Sequence, residues 1–81
     1  MSSRKRDKEE KILKIIVAER IKELMKEKSL NQIKLAEQLG TDQSTISYWL
    51  SGKKLPNIAS LWQLADYFGV DIDYLVGRKN L

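Results

Sequence analysis

The chain has 81 residues, of which 42% are hydrophobic and 32% charged, with a formal net charge of +4 and a pI near 9.4. At that length a single domain is expected, whose apolar core only just offsets chain entropy, and a compact helical bundle is the economical solution. Cysteine and histidine are both absent, which excludes disulfide frameworks, zinc clusters of the usual ligand types, thiol nucleophiles and imidazole bases together. No enzymatic activity, cofactor or metal site is therefore expected.

The longest uninterrupted apolar run, Ile15 to Ala18, is too short to span a bilayer, and nothing resembles a signal peptide. The expectation is a cytoplasmic, nucleoid-associated protein with no membrane partner. The positive balance favours a polyanionic partner. It sits at the amino end: residues 1–28 hold ten Lys/Arg against six Asp/Glu, residues 29–56 three against two, and residues 57–81 two against three.

Residues 1–10 have no apolar side chain after Met1, so a flexible basic arm is expected there, with Arg4, Lys5 and Arg6 free to touch phosphate or simply to aid solubility. A long helix follows over about 8–28. Leu13, Ile16, Val17, Ile21, Leu24 and Met25 repeat at helical spacing and form its buried stripe. Ile12 and Ile15 fall off that stripe and belong to the edge of the core, or else cover a neighbouring helix or a second subunit. Ser29 and Leu30 break this helix.

Asn31 is a good cap for a second helix reaching about Leu39, with Ile33, Leu35, Ala36 and Leu39 inward and Gly40 ending it in a conformation with positive φ. Asp42 caps a third helix over about 43–51, where its charge also suits the positive end of the helix dipole. Ile46, Trp49 and Leu50 share one side of that helix. Ser44, Ser47, Tyr48 and Ser51 share the other, with Gln43 and Thr45 at its margins. An outer side without charge is unusual on a surface helix and suits hydrogen bonding to base edges.

Lys53 and Lys54 lie in a basic loop, and Asn57 caps a fourth helix to about Phe68, with Ile58, Leu61, Leu64, Ala65 and Phe68 inward. Asp71 caps a short fifth helix holding Ile72, Leu75 and Val76, which Gly77 ends. The domain is thus expected over 11–77, with 78–81 a tail. Trp49 and Phe68 are read as core, and Trp62 or Tyr67 as a possible subunit contact. Asp66, Asp71 and Asp73 form no tight oxygen cluster, so caps and solvated faces account for them.

The segments LNQIKLAEQLGTDQSTISYWLSGKKLP and LADYFGVDIDYLVG resemble the helix-turn-helix family of the lambdoid phage repressors and Cro, over roughly residues 16–77. The resemblance implies an all-α, compact five-helix bundle, and a sequence-specific regulator, a repressor, that inserts helix 43–51 into the major groove of double-stranded DNA. It further implies base readout by Gln43, Ser44, Ser47 and Tyr48, and phosphate contacts from Gln32, Thr45, Ser51, Lys53 and Lys54, with Gln32 also steadying Gln43. The partner would be a pseudo-palindromic operator bound by a homodimer. A protein-interaction or antitoxin-like module is the alternative; the uncharged outer side of the third helix with Gln43 at its entry favours the regulator, whereas large apolar residues there would have favoured the module.

Two positions depart from the family pattern. Many members carry a basic residue where this chain has Met25 and a glutamate where it has Leu50, so a hydrophobic contact between helices 1 and 3 is expected in place of a partly buried ion pair. Ser51 stands where asparagine is common, which predicts a shorter and weaker backbone contact.

Overall fold

The computed structural model describes residues 3–80, with side chains from Lys5 onward. Among them are five helices and no strand: α1 (Ser3–Glu27), α2 (Gln32–Leu39), α3 (Gln43–Leu50), α4 (Ile58–Phe68) and α5 (Ile72–Leu75). The sequence marks most of the boundaries chemically. Asn31, Asp42 and Asn57 each accept the backbone N–H three residues on, from Lys34, Thr45 and Ser60, at 2.8 Å in every case, which satisfies one orphan donor at each helix start. Gly40 and Gly69 close α2 and α4 at φ 68° and 69°, where a side chain would be strained.

Each helix contributes one fully enclosed aliphatic residue to the centre: Ile21, Leu35, Ile46, Leu64 and Leu75 all show no exposure. Burying one such side chain stabilises the fold by about 1.5–3 kcal/mol, so the five together tie every element to one core. Trp49, Phe68 and Tyr74 are buried around them. The Tyr74 hydroxyl donates to Glu23 at 3.2 Å and the Arg20 guanidinium lies 4.5 Å from the ring centre, which fastens α5 to α1.

Several details differ from the sequence expectation. The helix α1 begins at Ser3, ahead of the expected start, so residues 3–10 continue α1 instead of forming an irregular arm; Met1, Ser2 and Leu81 lie outside the described residues. Ile33 is 56% exposed, because at ~100° per residue it stands nearly opposite Leu35. Ile58 is 79% exposed at the first position of α4, whose buried stripe begins only at Leu61. Asp71 makes no side-chain cap to α5. Its carboxylate pairs with the Lys79 ammonium and raises that group's pKa, which draws the tail back onto the domain.

Candidate nucleic-acid interface

A turn of three residues, Gly40 to Asp42, fixes α3 against α2. The left-handed Gly40 lets Thr41 donate its N–H to the Ala36 carbonyl at 3.0 Å, which completes the α2 terminus. Ala36 is buried, and its small side chain allows α2 and α3, which pack directly, to approach closely. On the inner side of α3, Ile46 and Trp49 are buried and Leu50 is half-buried against the core. The opposite side is therefore held outward by packing on its back.

That outer side brings Gln43, Ser44, Ser47 and Tyr48 together as the lining of one open concavity. All four are exposed, and no charged residue occurs between Gln43 and Gly52. The side-chain amide of Gln43 donates to Gln32 Oε1 at 3.5 Å, a long bond from the start of α3 to the start of α2. Thr45 is engaged locally: its backbone N–H and hydroxyl hold the Asp42 carboxyl below the ordinary carboxylate range.

The end of the helix is less open than expected. Ser51 donates its hydroxyl to the Tyr48 carbonyl at 3.2 Å. The same carbonyl accepts the backbone N–H groups of Lys53 and Lys54 at 3.0 and 3.3 Å, so the basic loop is wound onto the last turn of α3. Lys53 is exposed, and the Lys54 ammonium lies 4.9 Å from the centre of the Tyr48 ring, a distance that favours cation–π attraction. Sequence reading missed this pairing, because a six-residue separation across a turn has no helical periodicity to announce it.

The surface therefore offers a patch of neutral donors and acceptors beside two lysines. Neutral polar groups discriminate by hydrogen-bond pattern, whereas ammonium groups attract phosphates without sequence preference. No cluster of acidic residues able to hold a metal ion occurs among the described residues, and no helix among them is long and apolar enough to cross a membrane.

Comparison with known proteins agrees with this geometry. A family model described as Helix-turn-helix matches residues 21–75. The HTH-type transcriptional activator BcrR of Enterococcus faecalis is 41% identical over 63 residues, a region covering 78% of this chain and 31% of that protein. The HTH-type transcriptional regulator AnsR of Bacillus subtilis is 36% identical over 62 residues, covering 76% and 53%. A crystal structure of a transcriptional regulator from Listeria innocua superposes with a TM-score of 0.72 at 38% identity, over 80% of this chain and 61% of that one. The chain thus spans only part of the length of each relative.

Proposed function

Because the chain belongs to the helix-turn-helix family, we propose that it is a sequence-specific DNA-binding transcriptional regulator that seats α3 in the major groove of double-stranded DNA. The observation that carries this reading is the uncharged outer side of α3, with Gln43, Ser44, Ser47 and Tyr48 sharing one concavity beside the basic loop. Gln43 reads an adenine through its N6 and N7 edge, a bidentate contact worth about 1–3 kcal/mol of discrimination. The two serines serve as short donors or acceptors, and Tyr48 meets a thymine methyl or a phosphate. Gln32, Lys53 and Lys54 hold the backbone on either side, whereas Thr45 supplies less, since its N–H is already given to the Asp42 carboxylate. Ser51 supplies less, since its hydroxyl proton is already given to Tyr48.

The protein works as a homodimer on a pseudo-palindromic site, with two α3 helices about 34 Å apart in successive major grooves. This activity places it with the DNA, in the cytoplasm. The sign of regulation depends on where the site lies on a promoter; the E. faecalis relative bears the name of an activator.

The test is a titration of random and selected duplexes at several salt concentrations. A dimer that neutralises six to ten phosphates loses about 10³ to 10⁵ in affinity between 50 and 200 mM salt. Binding to selected duplex that ignores salt, or no binding to either duplex, would refute the reading.

A further inference from the structure

We propose that the amino-terminal half of α1 pairs antiparallel with the same segment of a second copy, through Ile12 and Ile15, and that this contact joins the two DNA-reading domains. The proposal rests on the reading above that the chain acts on DNA as a dimer.

Among the described side chains of α1 the first buried one is Val17, and those from Lys5 to Ile16 are exposed or half-exposed. A solitary helix of that length is marginal in water, so packing is what would hold it. Ile12 and Ile15 are 57% and 62% exposed and, three residues apart, share a face. The domain flanks this segment without covering that face. Ile16 lies against Gly77, where a Cβ would come within 2.8 Å of it, and the Lys14 carbonyl would be 3.9 Å from a Cβ on Gly52. The end of α5 thus borders one flank, where Ile12 lines an open concavity with Ile16, Val76 and Arg78, and the loop after α3 borders the other, while more than half of Ile12 and of Ile15 stays exposed.

The charges on this face specify what covers it. Lys8, Ile12, Ile15 and Glu19 follow one another along it, with Lys8 and Glu19 each four residues outside an isoleucine. An antiparallel copy centred midway between the isoleucines sets Ile12 over the partner's Ile15 and Lys8 over the partner's Glu19, twice by symmetry. One flank also brings Lys5 near the partner's Glu23. Glu19 meets Lys22 of its own helix at 3.5 Å, with both side chains at least half exposed, so its carboxylate stays open to a second cation. A parallel pairing would instead oppose like charges. The other exposed apolar pair, Ile58 and Trp62, has no such complement, because α4 begins at Ile58 and Asp66 stands beyond Trp62.

The symmetry also suits DNA. A two-fold axis perpendicular to α1 keeps the α3 flank of both copies on one side of the pair. At ~100° per residue, Lys11 and Lys14 turn toward that same side, and they add positive charge between the two reading helices.

The experiment measures sedimentation and duplex binding for the whole chain, on a selected palindromic duplex and on its single half-site. The wild type is expected to load the palindrome as two cooperative copies. Ile12→Glu with Ile15→Glu should bind the half-site like wild type but bind the palindrome about 10²-fold more weakly, as linked binding becomes independent. Lys8→Glu and Glu19→Lys should each reduce cooperativity, and the two together should restore it. Trp62→Glu should leave it unchanged. Cooperative loading that survives the double isoleucine variant, fails to return in the charge-swapped pair, or disappears with Trp62→Glu overturns the α1 contact. Loss of half-site binding by the wild type would instead refute the DNA-binding reading itself.

Discussion

Gln32 and Gln43 are joined by a 3.5 Å hydrogen bond between side chains that each stand at the first position of a helix. On the function proposed above, the bond links the residue that holds a phosphate to the residue that reads a base. Gln43→Ala is expected to change which sequences a selection enriches and to remove about 1–3 kcal/mol of preference at one base pair. Gln32→Ala should weaken binding to every sequence and broaden the preference at that same position, since Gln43 loses its support. A double-mutant cycle on selected duplex checks the link; strictly additive effects would show that the two glutamines act separately.

Lys54 is held in two ways, by its backbone N–H on the Tyr48 carbonyl and by its ammonium over the Tyr48 ring. Lys54→Ala should lower affinity for all duplexes alike and reduce the salt slope by about one unit. Tyr48→Leu should change the sequence preference and free the Lys54 side chain. If Lys54→Ala altered base preference and left the slope unchanged, the lysine would be reading bases and not phosphate.

Local chemistry was legible in the sequence, and long-range geometry was not. Asn31, Asp42 and Asn57 could be read as caps because each bond is made to an amide three residues on. Leu35, Ile46 and Leu64 could be read as core from periodicity alone. Asp71 misled, because its carboxylate turns to Lys79, and no local rule announces that tail contact. Ile33 misled although its place nearly opposite Leu35 follows from helical spacing, and Ile58 misled because it stands at the first position of α4, where the repeat alone does not decide burial. Within the candidate site, the grouping of Gln43, Ser44, Ser47 and Tyr48 follows from helical spacing. The inward turn of the Ser51 hydroxyl and the stacking of Lys54 depend on how the loop closes.

The Asp42 cap predicts a pH dependence. Its pKa is lowered in the folded state, first by the Thr45 backbone N–H and then by the Thr45 hydroxyl. A depressed carboxyl pKa means that the unfolded chain binds the proton more tightly, so the contribution is present above the unfolded value of 3.8 and disappears as pH falls through the folded one. Asp42→Asn keeps a capping oxygen without the titration. Urea midpoints from pH 7 to pH 2 should therefore fall less steeply for the variant, and parallel curves would rule out this group as a source of the acid sensitivity.

Ser29 is the only non-glycine residue at positive φ among those described, at 54°. It lies where α1 ends, with the Leu30 N–H bonded to the Met25 carbonyl at 2.9 Å, a closure usually made with glycine. Side-chain crowding in this conformation costs about 1–2 kcal/mol, partly offset in Ser29→Gly by the greater freedom glycine gives the unfolded chain. The variant should raise stability by up to about 1 kcal/mol, and Ser29→Val should lower it. Thermal unfolding decides, and a less stable glycine variant would mean that the serine hydroxyl contributes more than its backbone costs.

Met25 is buried at 6% exposure, and Leu50 is half-buried against the same core, on helices α1 and α3 that pack together. We propose that the two side chains meet and replace an ion pair with an apolar contact that needs no charge desolvated. Met25→Arg alone places an unpaired cation in the core and should cost about 3–5 kcal/mol. Leu50→Glu alone should cost less, because its site is partly open to water. If the positions are neighbours, combining Met25→Arg with Leu50→Glu should recover much of the loss, giving a favourable coupling of about 0.5–3 kcal/mol in urea unfolding. Coupling near zero would show that the two side chains do not meet, and the α1–α3 junction would then rest on other buried residues such as Ile21, Ile46 and Trp49.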